Sequence, residues 1–205
     1  MPPSAAADVA LEAPSSDETL MHAYARGDAR AFEALYARHK GGTYRYFLRH
    51  CGGDAATTDE LHQDLWLRVI DARSRYEAHA RFSTWLYTLA RNRLIDHWRA
   101  RRPAAAVASL DEDGVLEQAE EHVVALGGTA DDPLRATLDA ERRQRLIAAL
   151  SDVPSSQRDA ILLHVEGGLS LEEVAGLTSA PVETVKSRLR YAYRRLRHAL
   201  EDLSR

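Results

Sequence analysis

Across residues 103–136 the chain abandons hydrophobic periodicity altogether, and no other feature constrains its architecture so tightly. The segment, "PAAAVASLDEDGVLEQAEEHVVALGGTADDPLRA", sets eight acids against Arg135 alone and mixes alanines with a glycine pair and a proline. Connections longer than about 15 residues without structure of their own are uncommon inside one compact domain. A stretch this acidic and aperiodic offers no continuous apolar face to offset the entropy of ordering it. The break therefore predicts two small helical domains joined by a flexible acidic linker, with a transient acidic helix expected over residues 115–126. The expected partition is a disordered tail at 1–16, a first domain at 17–102, the linker at 103–136 and a second domain at 137–205.

On both sides of the break apolar residues recur at helical spacing and no strand alternation occurs, so the expected fold is all-α. "DARAFEALYARHKGGTYRYFLRH" opens at an N-cap residue, Asp28, and strings Phe32, Leu35, Tyr36, His39, Thr43 and Phe47 along one stripe. Gly41 and Gly42 are expected to interrupt or bend that helix. "TTDELHQDLWLRVIDAR" begins with Thr57 and Glu60 in capping-box spacing and turns Leu61, Leu65 and Val69 inward. A further helix is expected from about Ser83 to Arg102, stopping before Pro103. After the break come "LDAERRQRLIAALSDV" and "PSSQRDAILLHVEGG", the latter ended by Gly167 and Gly168. "SLEEVAGL" follows, with Ser170 and Glu173 in capping-box spacing, and then "PVETVKSRLRYAYRRLRHALEDL", with Pro181 at its first turn.

The same sequence disfavours several classes of function. A single cysteine, Cys51, leaves no internal disulfide and no Cys-rich zinc site, which suits a reducing compartment. No run approaches the roughly 20 apolar residues needed to cross a bilayer, and "MPPSAAADVALEAPSSDE" lacks the basic and apolar regions of a signal peptide. A cytoplasmic protein without membrane insertion is the expectation. The nine histidines are scattered and form no HExxH pair, and no Walker loop, GxGxxG or nucleophile elbow occurs. The chain therefore reads as no enzyme, with no catalytic residue, metal or cofactor.

Charge is segregated in blocks that the formal net charge of -4 conceals. Residues 81–102 hold six arginines against Asp96, the acidic segment follows, and residues 186–197 hold six basic side chains and no acid. Two basic surfaces separated by a segment that repels polyanions point to nucleic acid. The second block lies on a helix-turn-helix pattern: a short helix with Val174 and Ala175 inward, a tight connection, and a longer helix burying Val185, Leu189, Ala192 and Leu196. The opposite face presents Glu183, Thr184, Ser187, Arg188 and Tyr191, flanked by Lys186 and Arg190, the residue types that reach base edges in a major groove. Arg194, Arg195 and Arg197 are placed for phosphates. The first block mixes Tyr76, Phe82, Trp85, Tyr87 and Trp98 with its arginines, a combination suited to single-stranded or melting DNA. Trp85, Leu86 and Leu89 fit a core better than a base platform, and Asn92 is the best polar group for a base edge.

"DELHQDLWLRVIDA", "FSTWLYTLARNRLIDHWRARR" and "LSLEEVAGLTSAPVETVKSRLRYAYRRLR" resemble the second and fourth conserved regions of bacterial sigma factors, and the two-domain layout resembles the extracytoplasmic-function (ECF) group of the sigma-70 superfamily. The resemblance implies that Glu60, Gln63, Asp64, Arg68 and Asp71 dock on the clamp helices of core RNA polymerase. It places Phe82, Trp85, Asn92, Asp96 and Arg99 where the family melts and reads the minus-ten element. Lys186, Ser187, Arg188, Arg190 and Tyr191, with Thr184 beside them, match the helix that reads the minus-thirty-five element. Two departures stand out: Ser179 occupies a turn position where the family commonly has glycine, and Tyr191 a position where a basic residue is frequent. An anti-sigma factor is an implied partner, alongside core polymerase and promoter DNA, and the acidic linker matches the family's connector into polymerase. The loosely tethered halves are expected to bind promoter DNA weakly without polymerase. The alternative is a stand-alone helix-turn-helix regulator with an N-terminal dimerisation or sensing domain, which leaves the aromatic-arginine helix unexplained. Promoter sequence, regulon, activating signal and oligomeric state are not written in the residues.

Overall fold

A computed structural model describes residues 15–101 and 133–200 of the chain, and among these residues every regular element is helical. The N-terminal half contains α1 (Asp17–Ala25), α2 (Ala29–His50), α3 (Ala55–Ala72), one 3-10 turn (Arg73–Arg75) and α4 (Phe82–Arg101). The C-terminal half contains α5 (Pro133–Ser151), α6 (Ser155–Gly167), α7 (Leu171–Thr178) and α8 (Val182–Leu200). Residues 103–132, most of the expected linker and all of its transient helix, lie outside the described residues, as does the tail to residue 14.

Local chemistry explains most helix ends. Ser16 caps α1 by accepting the Thr19 N–H, and Asp28 caps α2. The expected capping box at Thr57 is not the start of α3: Asp54 accepts the Thr57 N–H, so the helix begins at Ala55, and the Thr57 hydroxyl bonds back to the same carboxylate. A carboxylate outcompetes a hydroxyl as acceptor at the positive end of a helix. The capping box at Ser170 and Glu173 forms as expected, with both reciprocal bonds present. Two boundaries differ. Ser15 and Ser16, assigned to the tail, are tied down by the Arg38 guanidinium and by the α1 cap. Helix α5 begins at Pro133, inside the stretch assigned to the linker; the fixed φ of proline suits a first helical turn.

Gly41 and Gly42 do not interrupt α2, which runs for 22 residues. At Gly42 the missing side chain serves a tertiary contact. A Cβ at Gly42 would stand 3.0 Å from the Glu166 carbonyl and 2.9 Å from the Tyr87 hydroxyl, so the missing side chain lets α6 approach the α2 backbone.

The core of the N-terminal half is built from Met21, Leu35, Phe47, Leu61, Leu65, Val69, Phe82, Leu86 and Leu94, all buried. That of the C-terminal half centres on Leu150, Ile161, Leu162, Leu163, Val174, Val185 and Leu189. Each such side chain contributes roughly 1.5–3 kcal/mol on burial. The two helical halves also meet across the break. They touch directly, with α2 against α5 and α6, and α4 against α6 and α7.

Candidate nucleic-acid interface

The helix-turn-helix is formed by α7 and α8. Its turn passes through Ser179 at φ 53°, ψ 36°, the only non-glycine among the described residues in the left-handed region. Serine thus performs the turn that glycine would make without strain. Val185, Leu189, Ala192 and Leu196 are buried as a single stripe along α8, as their spacing predicts. The opposite face carries the predicted readers. Lys186 pairs with Glu183 at 2.7 Å, and the Ser187 hydroxyl donates to the Glu183 carbonyl at 2.9 Å. Thr184, Arg188, Arg190 and Tyr191 are half-buried, and the guanidinium groups of Arg190 and Arg194 lie over the Tyr191 ring at 5.8 and 5.1 Å. Stacking on two cations fixes the ring and spreads the guanidinium planes along the helix surface. Arg194, Arg195 and Arg197 are exposed.

On α4 the predicted residues separate into two groups. Asn92, Asp96 and Arg99 are exposed at four- and three-residue steps, one polar stripe on one face. Asp96 sits 4.0 Å from Arg68 of α3. Phe82, by contrast, is 0% exposed and lies against His39, Tyr76 and Trp85. It belongs to the core and cannot stack on a base in this arrangement. Trp85 is half-buried in the same aromatic cluster, 5.0 Å from Tyr76. The start of α4 is secured from a distance: the Glu18 carboxylate of α1 accepts the Phe82 N–H at 2.8 Å, and that bond holds Glu18 below the ordinary glutamate range.

The predicted docking face of α3 is divided as well. Glu60 and Asp64 both receive Arg93 of α4, at 3.0 and 2.7 Å, so two of its acids are engaged within the domain. Arg68, Asp71 and Gln63 are exposed. Beside them lies a shallow groove of about 250 Å³ lined by Tyr36, Asp59, His62, Gln63, Trp66 and Leu67. Leu67 and Tyr36, at 50% and 36%, are the exposed large hydrophobics among the described residues. Of these groove residues only Gln63 belongs to the expected docking face; Leu67, an apolar residue off the Leu61–Leu65–Val69 stripe, carries the signal in the chain. Inside the groove the Trp66 indole donates to His62 Nε2 at 3.1 Å, and burial lowers the His62 pKa.

Between the halves is a set of charges that the spacing of residues gave no reason to bring together. Glu166 of α6, its side chain 2% exposed, accepts from Arg45 at 2.8 Å and from Arg49. Asp159 accepts from Arg91 at 2.6 Å and from the Tyr46 hydroxyl at 3.1 Å. Glu173, besides closing its capping box, accepts from Thr84 at 2.5 Å and lies 3.5 Å from Arg81. Burial and the neighbouring Arg45 lower the Arg49 pKa to about 10. His50 is wholly enclosed near this network, 3.7 Å from Asp159, with neither ring nitrogen hydrogen-bonded.

Comparison with known proteins matches each half of the chain to a family region. The family described as Sigma-70 region 2 matches residues 35–103, and that described as Sigma-70, region 4 matches residues 143–196. The ECF RNA polymerase sigma factor SigL of Mycobacterium tuberculosis is 33% identical over 180 residues, covering 87% of this chain and 94% of SigL. This chain belongs to the ECF sigma factors of RNA polymerase. The RNA polymerase sigma-H factor of Pseudomonas aeruginosa is 29% identical over 195 residues, covering 92% of this chain and 96% of its own. In fold the protein is similar to CnrH, solved in complex with the cytosolic domain of CnrY, with a TM-score of 0.62 at 22% identity over 92% of this chain and 99% of that one. The Bartonella quintana sigma factor RpoE, solved with the anti-sigma factor NepR, gives 0.60 at 22% identity over 84% of this chain and 98% of that one. As an ECF sigma factor the chain binds core polymerase, recognises promoter DNA and promotes strand opening for initiation. Homology to both regions, in order, does not favour the stand-alone regulator. Among the described residues no helix is long and apolar enough to cross a membrane.

Proposed function

We propose the following division of labour on the sigma factor's surface. Asn92, Asp96 and Arg99 of α4 read and hold the melted minus-ten element, while Phe82 and Trp85 support the helix from within. Thr184, Lys186, Ser187, Arg188, Arg190 and Tyr191 of α8 read the minus-thirty-five element, and Arg194, Arg195 and Arg197 hold its phosphates. Core polymerase docks on α3, through Gln63, Arg68 and Asp71 and through the apolar groove around Leu67 and Tyr36. Glu60 and Asp64 contribute mainly by fixing α4 to α3 through Arg93. The observation that carries this reading is the polar stripe of Asn92, Asp96 and Arg99 on a helix whose other faces are packed. A base flipped towards that stripe loses stacking worth a few kcal/mol and regains hydrogen bonds.

Run-off transcription with purified core polymerase on a promoter library tests the reading. Wild-type protein is expected to direct initiation at defined promoters; failure to associate with core enzyme at any salt concentration would refute it. An anti-sigma factor is the proposed inhibitory partner, by likeness to the complex of RpoE with NepR. The chain is proposed to act in the cytoplasm, where polymerase and promoter DNA are found.

A further inference from the structure

The arginines that meet α6 and α7 are arranged for an anion with several oxygens. Arg45 and Arg49 stand one helical turn apart on α2, a spacing at which like charges repel. The Glu166 carboxylate lies between them and accepts from both. Arg91 of α4 takes Asp159, and Arg81 takes Glu173. Four cations from the N-terminal half thus converge on three carboxylates from the C-terminal half. A guanidinium fork binds carboxylate and phosphate oxygens by the same geometry. The contact is also polar at its centre, with Tyr46, Thr84 and Tyr87 hydroxyls donating across it. Each of these polar bonds can be exchanged for one to water when the halves part.

We propose that Arg45, Arg49 and Arg91 form a further DNA-phosphate site on the N-terminal half, masked in the closed molecule by Glu166 and Asp159 acting as phosphate mimics. The inference rests on the promoter-binding reading above. When the halves part, the three arginines lose their carboxylates: Arg91 on α4, next to Asn92 in the chain and on the helix of the minus-ten stripe, and Arg45 and Arg49 on α2. The backbone of the duplex there is the polyanion within reach. Closing and DNA binding at this surface exclude one another, because both use the same guanidinium groups.

The test is the salt dependence of binding to a 30-base-pair duplex without promoter sequence, with the full chain. D159N/E166Q, which keeps side-chain shape and removes the mimics' charge, is expected to bind more tightly than wild type. Its plot of log affinity against log salt is expected to be steeper by about 3, given roughly 0.9 per phosphate neutralised. Adding R45A/R49A to that variant is expected to remove about 1.8 of the slope, roughly tenfold in affinity between 50 and 200 mM salt. R45K/R49K, which preserves charge, is expected to retain it. R26A/R30A, an equal change of charge on exposed positions away from the contact, is expected to leave the extra slope intact. Equal losses from R45A/R49A and R26A/R30A, or no difference between D159N/E166Q and wild type, would overturn the proposal. So would a D159N/E166Q protein that gains affinity for polyglutamate and none for DNA, which would make the surface a protein site. Run-off transcription by the same proteins separates this outcome from a failure of the sigma-factor reading: transcription persisting without the extra salt slope rejects the masked site alone.

Discussion

Ser179 and His50 carry the clearest single-residue costs. A serine held at φ 53° is strained by about 1 kcal/mol or more, partly recovered through the lower entropy of its unfolded state. Ser179→Gly is expected to raise stability by roughly 0.5–1 kcal/mol in urea unfolding. Gly168→Ala, at φ 60° in the α6 C-cap, is expected to lower it by a similar amount. His50 is different in kind. Burial is the main cause of a pKa lowered to about 4 from 6.5; Asp159 pulls it up, and Arg158 and Arg91 push it down. Tyr46 and Trp98 pack against the ring. The folded protein holds the neutral form, so the stabilising contribution is complete above pH 6.5 and is lost as pH falls from 6.5 towards 4. The loss reaches up to ~3 kcal/mol at the acid end. His50→Phe is expected to flatten that limb when unfolding free energies at pH 7.5 and 5 are compared; an unchanged pH slope would contradict the assignment. The glycine departure at 179 was visible in the chain, whereas nothing near residue 50 announced an enclosed imidazole, because its enclosure comes from α6 and the end of α4.

At the scale of elements, helix type and most faces followed from periodicity, while local caps followed in part: those at Asp28 and Ser170 formed as expected, whereas at α3 Asp54 displaced Thr57. Ser170 and Glu173 are the clear case. Helix α4 is the opposite case, since its N-terminal cap arrives from Glu18, 64 residues earlier. Glu18→Ala is expected to cost about 1 kcal/mol of stability, as loss of an N-cap does, read by urea unfolding. For function, Asn92→Ala is expected to impair open-complex formation, measured by permanganate footprinting, more than recruitment to polymerase; equal loss in both would point to misfolding. On α8, Arg188→Ala is expected to weaken minus-thirty-five discrimination by ~1–3 kcal/mol. A uniform loss on all promoter sequences would make Arg188 a phosphate contact.

For the whole molecule the decisive fact is contact between the halves. The names of the two promoter elements set them about 25 base pairs apart, roughly 85 Å along a duplex at 3.4 Å per step. The halves touch directly and the longest helix in either is 22 residues, about 33 Å, so the closed molecule is not built to that separation. Weak promoter binding by the isolated chain is therefore expected from closure, and polymerase is expected to convert two separate contacts into one by holding the halves apart. Gly42→Ala tests the closed state. It adds up to ~1 kcal/mol of helix propensity to α2 while placing a Cβ 3.0 Å from the Glu166 carbonyl. The variant is expected to have a more stable N-terminal half and a larger radius of gyration by small-angle X-ray scattering. An unchanged radius would mean the interface absorbs the methyl group.

What the linear order of residues settled was whatever acts over one or two helical turns: the period of seven of the helices, the capping box of α7, the buried stripe of α8, the basic blocks, and the motifs of regions 2 and 4. What the folded molecule alone decided was which charged side chains face one another and which aromatic residues are buried. Phe82 entered the core, Glu60 and Asp64 were taken by Arg93, and Glu166 and Asp159 found arginines from the other half. The reason is physical: period and caps are set by neighbours three or four positions away, whereas ion pairing and burial across 29 to 121 positions depend on how helices pack, which no local spacing encodes.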